Sequence, residues 1–65
     1  MDSQLLELLV GNLQKEIDSR LSFLGSGGVK SYDEYKEVCG AIRGLQTAQR
    51  EAQDLVRRVK ELDDE

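Results

Sequence analysis

The apolar residues Leu6, Leu9, Val10, Leu13, Ile17, Leu21 and Leu24 recur at spacings of three and four. At about 100° per residue they fall on one stripe of a helix. A second series does the same in the other half of the chain: Tyr35, Val38, Ile42, Leu45, Ala52, Val56, Val59 and Leu62. Between them lies GSGGVKS, from Gly25 to Ser31, the chain's one cluster of helix breakers. The pattern predicts a single all-α unit: a helix over 3–24, a loop over 25–31, a helix over 32–62, and a frayed acidic tail over 63–65. A loop of about seven residues favours antiparallel neighbours, so the expected fold is an antiparallel two-helix hairpin. Counting outward from the loop sets Leu24 near Tyr35, Ile17 near Ile42, Leu13 near Leu45 and Leu6 near Ala52.

The helix ends carry their own signals. Asp2 or Ser3 is the expected N-cap of the first helix, and Gly25 its left-handed C-cap. Ser31-Tyr32-Asp33-Glu34 reads as a capping box for the second helix, with Asp33 and Glu34 favourably placed at the positive end of its dipole. The glycines of the loop serve its geometry. GSGGVKS lacks the spacing of a phosphate-binding loop, and no strand precedes it.

Two further glycines interrupt the second helix, in the segment CGAIRGL. Each costs about 1 kcal/mol relative to alanine in a helix interior, so Gly40 and Gly44 together forgo about 2 kcal/mol. Gly40, Gly44, Ala48 and Ala52 form a ridge of small side chains that another backbone can approach closely. On a wheel with Tyr35 at 0°, Val38, Ile42, Leu45 and Val56 fall between about 280° and 340°. Ala41, Gly44, Ala48, Ala52, Leu55, Val59 and Leu62 fall between about 180° and 260°. One partner helix covers a stripe of roughly 100°. The first helix therefore accounts for the first seam, and the second is left for another helix, from a second copy or another protein. A twisted hairpin, in which the first helix wanders across both seams, is the competing arrangement. Leu5, Leu8 and Phe23 are leftovers on the first helix.

Composition narrows what such a unit can do. Sixty-five residues with one cysteine and no histidine hold no internal disulfide and offer no zinc-type ligand set, so neither metal nor cofactor is expected. A hairpin of this size has little core energy to set against its ordering entropy, which favours oligomerisation or a partner protein. The net charge is −4, from nine basic and thirteen acidic residues. That argues against nucleic acid and anionic membranes as partners. No apolar run reaches the length of a membrane span. The N-terminus lacks the basic region of a secretory signal, and one free cysteine suits synthesis in a reducing cytoplasm.

Lys36, Arg43, Arg50 and Arg57 recur every seven residues and form one basic edge. The expected role is a solvated flank paired with Glu7, Glu16 or Asp18 of the first helix and with near neighbours on its own helix. A docking rail for an acidic protein surface or a nucleic-acid backbone is the alternative. Catalysis has no support: a two-helix surface encloses no water-excluded pocket for a small-molecule substrate. Cys39 is expected as a small buried hydrophobe near the hairpin seam, and Tyr32 and Tyr35 as a cover for the loop end of the core.

At Tyr32-Asp33-Glu34-Tyr35 and Cys39-Gly40-Ala41-Ile42-Arg43-Gly44-Leu45, the chain resembles a group of very short helical proteins of tailed bacteriophages. These carry a similar tyrosine, a CGxIRGL-like element and an amphipathic helix with an acidic tail. The resemblance implies a minor virion or connector component, made in the host cytoplasm, with a capsid, portal or tail protein as partner. It implies no catalytic or ligand-binding residue. The expected function is thus non-enzymatic assembly, and the alternative is a small regulatory protein that binds a host or viral enzyme. The expected contact residues are Gly40, Ala41, Gly44, Ala48, Ala52, Leu55, Val59 and Leu62, with Arg43, Arg50 and Arg57 orienting the partner.

Overall fold

A repeat of 3.5 residues governs both helices of the computed structural model, which describes residues 3–63. Helix α1 spans Gln4–Gly25 and helix α2 spans Tyr32–Asp63. They pack side by side as an all-α hairpin 52 Å long and 15 by 12 Å across. The residues of α1 that turn away from solvent are Leu6, Val10, Leu13, Ile17, Arg20 and Leu24; the matching series on α2 is Val38, Ile42, Leu45, Gln49, Ala52, Val56 and Val59, with Glu34 and Cys39 partly covered beside it. Both series alternate steps of four and three. That is the heptad pattern of a left-handed antiparallel coiled coil, with Val10, Ile17, Leu24, Ile42, Gln49 and Val56 at a positions and the others at d.

This repeat corrects the sequence reading in two places. Leu9 and Leu21, expected in the α1 stripe, are 46% and 49% exposed and lie beside the seam. Arg20 takes the last d position of α1, one step before Leu24, with its guanidinium 2.6 Å from Glu16. On α2, Ala52 and Val59, assigned to the face of a partner molecule, are buried at 5% and 7% exposure, as the Leu6–Ala52 register and the competing twisted hairpin have them. They belong to the hairpin's own seam. A heptad seam drifts by about 20° per repeat across a straight-helix wheel, so its later members appear to leave a stripe that they in fact continue.

The seam is thin. Among the described residues only Ile17, Ile42, Ala52 and Val59 are buried. Gln49 interrupts it, donating from Nε2 to the Val10 carbonyl at 3.4 Å and to Gln14 Oε1 at 2.8 Å. The Val10–Gln49 contact follows the register that sets Ile17 near Ile42. At the open end, Lys60 Nζ lies 2.9 Å from Glu7 Oε1.

The loop turns on Gly27, whose φ of +78° is the left-handed conformation that side chains disfavour. The Gly28 amide donates to the Phe23 carbonyl at 3.2 Å and the Gly27 amide to the Leu24 carbonyl at 3.4 Å. This is a Schellman C-cap, and it lies two residues beyond the expected cap at Gly25, which is still helical. The Phe23 ring covers Gly28 so closely that a Cβ there would lie 2.5 Å from the ring. At the other cap, the Glu34 amide donates to Ser31 Oγ at 3.1 Å, but the Glu34 carboxylate accepts from the Lys30 amide at 3.4 Å, so the capping box closes one residue early. Ser3 holds the N-cap position of α1 without a side-chain cap bond. The alternative cap, Asp2, and the tail residues 64–65 lie outside the described residues.

Two substitutions test this architecture. Ile17→Ala is expected to cost about 3 kcal/mol, a loss that a hairpin with so small a core does not survive at room temperature. Gly27→Ala, strained by the positive φ, is expected to cost about 1 kcal/mol. Urea denaturation followed by helical circular dichroism reads both. Equal, negligible losses at the two sites would contradict the seam and the cap.

Candidate functional site

The heptad frame sorts the remaining side chains onto two flanks. In an antiparallel pair the e positions of the two helices border one side of the seam and the g positions the other. The Glu7–Lys60 pair joins two e positions and fixes which side is which. The e flank is polar along most of its length: Glu7 and Gln14 on α1, Gln46, Gln53 and Lys60 on α2. Leu21 and the half-buried Cys39, towards the loop, are its apolar exceptions. An open hollow of 430 Å³ on this side is lined by Glu7, Val10, Gln53, Val56, Arg57, Lys60 and Glu61. Its rim carries both signs of charge and its floor is two valines, so it presents no converging set of polar groups.

The g flank has the opposite character. On α2 it starts at the half-buried capping residue Glu34 and continues as Ala41, Ala48, Leu55 and Leu62, a straight row at seven-residue spacing whose four members are all exposed. On α1 it carries Leu9, Glu16 and Phe23, with the two apolar members 46% and 39% exposed. Phe23 divides its surface between this flank and the loop glycine. Bordering the α2 row on its outer side are Gly44, Glu51 and Arg58. A hollow of 230 Å³ opens there between Glu51, Asp54, Leu55 and Arg58.

The expected contact residues therefore separate. Ala41, Ala48, Leu55 and Leu62 share one exposed row, and Gly44 stands beside it. Gly40 lies one step further round. Ala52 and Val59 are withdrawn into the hairpin, as described above. Arg43, Arg50 and Arg57 occupy b positions, almost opposite the g row around α2, so they do not border the face they were expected to steer. Nor do they meet the acids of α1. Arg57 pairs with Asp54 on its own helix at 2.8 Å, Glu16 pairs with Arg20, and Asp18 accepts from Gln14 at 2.9 Å. Lys36 lies 5.6 Å from the centre of the Tyr32 ring. Glu51, Arg58 and Leu9 were not assigned to the face from sequence. The signal that finds them is the heptad spacing of Ala41, Ala48, Leu55 and Leu62, once the seam is known.

The two helix glycines are not demanded by the hairpin. A Cβ added at Gly40 or at Gly44 meets no atom within 4 Å. Helix α1 does not approach them, and their cost in helix propensity is uncompensated within one chain.

At the loop end, Tyr32 and Tyr35 stack with ring centres 6.4 Å apart. Both stay exposed, at 71% and 48%, and do not cover the core. Cys39 is half-buried. Its hydrogen bond to Tyr35, and next its charge when ionised, hold the Tyr35 phenol above its ordinary pKa, with Arg43 opposing. Because the folded value is raised, any stabilisation from this pair is complete below the ordinary tyrosine range and is lost as pH rises through the folded value. No group of residues able to hold a metal ion occurs among the described residues, and none of their helices is long and apolar enough to cross a membrane. No family model matches the chain, and no curated protein or solved structure matches it either.

Gly40→Ala and Gly44→Ala are each expected to raise the stability of the isolated hairpin by about 1 kcal/mol, read as a higher urea midpoint. Measured on the dissociated chain at low concentration, a fall at either site would mean that α1 or the loop comes closer to the glycines than the structure places them. In a Tyr32→Phe background, Cys39→Ala is expected to bring phenolate absorbance of Tyr35 to lower pH. An unchanged midpoint would dissociate the two side chains.

Proposed function

We propose that this hairpin is a non-enzymatic assembly piece whose g flank docks onto protein. The observation that carries the reading is the sidedness of the seam. Polar and charged groups border most of one edge, whereas the other presents Ala41, Ala48, Leu55, Leu62 and Leu9 to water. Helices that needed only each other would gain nothing from exposing one whole apolar row at seven-residue spacing. The uncompensated glycines add support: small residues beside the row let a facing helix come close. The resemblance of the CGAIRGL segment and its preceding tyrosines to short phage proteins supports a place in a virion, against a capsid, portal or tail protein or a second copy.

Photo-crosslinking tests the face irrespective of its occupant. Benzoylphenylalanine replaces Ala48 on the proposed face and, as control, Arg50 on the opposite side of α2. Adducts are expected from position 48 and not from position 50, with the chain co-purifying with phage particles from infected cells. Adducts to a soluble enzyme would favour the regulatory alternative. Equal adducts from both positions, or none from 48, would overturn the docking face.

A further inference from the structure

We infer that the occupant of the g flank is a second copy of the same chain, packed antiparallel along α2 about a two-fold axis near Gln53. The inference rests on the reading of that flank as a protein-docking face and adds its partner.

Side-chain size favours this pairing. The row is graded, with Ala41 and Ala48 at the loop end, Leu55 and Leu62 at the open end, and Gly44 beside the alanines. A two-fold axis near Gln53 brings the large end of each copy onto the small end of the other. Leu62 of one copy then lies over Gly44 of the other, between Ala41 and Ala48. The two Leu55 side chains meet beside the axis. Leu9 of each copy comes to the same level, because α1 crosses α2 at Glu7–Lys60 on one side of it and at Val10–Gln49 on the other.

Charge favours it independently. Glu51 and Arg58 sit seven residues apart on the border of the row and make no ion pair among the described residues. The same axis carries Glu51 of each copy to Arg58 of the other, giving two symmetric pairs across the hollow between them. On the outer edge it brings Thr47 towards Asp54 and Gly40 towards Glu61, and it sets the two Asp54 carboxylates on either side of the axis, each held by Arg57 of its own helix. An arrangement that pairs Glu51 with Arg58 twice and sets the large end of the row on the small end of an identical surface fits an isologous interface.

An axis at the level of Gln53 overlaps residues 43–63 of α2 on the two copies, about 30 Å at 1.5 Å per residue. With the hairpin 15 Å across, that is about 450 Å² on each partner, the size of a weak, concentration-dependent interface. The product is a four-helix bundle with loops at opposite ends.

Charge reversal separates this arrangement from others. The wild-type chain is expected to sediment as a dimer. Glu51→Arg sets two guanidinium groups against each other across the interface, and Arg58→Glu sets two carboxylates against each other. Each single variant is expected to weaken dimerisation at least tenfold while the chain stays helical. An equimolar mixture of the two is expected to regain wild-type dimerisation as a heterodimer, and the double variant E51R/R58E as a homodimer. A role for these residues in folding alone would not produce rescue on mixing. If the wild-type chain is monomeric at millimolar concentration with its helices intact, or if mixing gives no rescue, the second copy is overturned. Crosslinking from position 48 then decides separately whether another protein takes the face or whether the docking reading fails with it.

Discussion

One contact determines how every other residue of this chain is disposed: the 3.5-residue seam between α1 and α2. Its small apolar content is decisive. Seven positions of α2 meet six of α1, yet only four of the thirteen residues are buried. Two seam positions hold Gln49 and Arg20, which stay bonded to neighbours. A polar seam residue lowers stability and fixes register, since a shift by one turn would leave Gln49 without Gln14 and the Val10 carbonyl. The chain thus specifies its pairing well and stabilises it weakly. Exposed pairs such as Glu7–Lys60 contribute less than about 1 kcal/mol and do not change that balance.

A weak seam gives the flanks their importance. In a longer coiled coil, e and g rows are interchangeable edges that carry matched charges. Here they differ in kind. The e row binds the helices together through Gln14, which accepts from the seam residue Gln49, and through Glu7 and Lys60, whereas the g row makes no such bond among the described residues. Placing leucines on the unbonded edge lowers solubility and does nothing for the hairpin itself. The same edge is flanked by a glycine that no part of the hairpin approaches. Each feature is unfavourable for an isolated chain, and all three lie together.

The two helices, their antiparallel order and the loop were legible in the sequence because apolar spacing and glycine clustering report directly on them. The sidedness was only half legible. A straight-helix wheel detects that α2 has more apolar circumference than one neighbour covers, but it assigns Ala52 and Val59 to the wrong seam because it ignores supercoiling. The same neglect kept Leu9 and Leu21 in the α1 stripe. The basic stripe misled for a related reason. Seven-residue spacing identifies a straight row, but which side of the helix it occupies follows only from where the seam runs, and the seam puts Arg43, Arg50 and Arg57 on the far side. Gly27 escaped because any of three loop glycines can accept a positive φ, and the choice depends on how far α1 extends before it caps.

The grading of the exposed row constrains what can cover it. A uniform row of alanines would accept a helix in either direction and any register, as small-residue faces commonly do. A row that runs from Ala41 to Leu62 does not. Parallel pairing of two identical rows stacks leucine on leucine at one end and leaves opposed alanines and glycines apart at the other, losing the dispersion contacts that close packing supplies. Antiparallel pairing makes the sum of facing volumes nearly constant along the axis, so the two helices can keep one separation over their shared length. Gly44 then has a physical role: opposite Leu62, the missing Cβ is the space into which the largest exposed side chain at the open end fits. On that account the glycine's cost to one helix is offset by contact with another, and the CGAIRGL segment marks where the second helix comes closest.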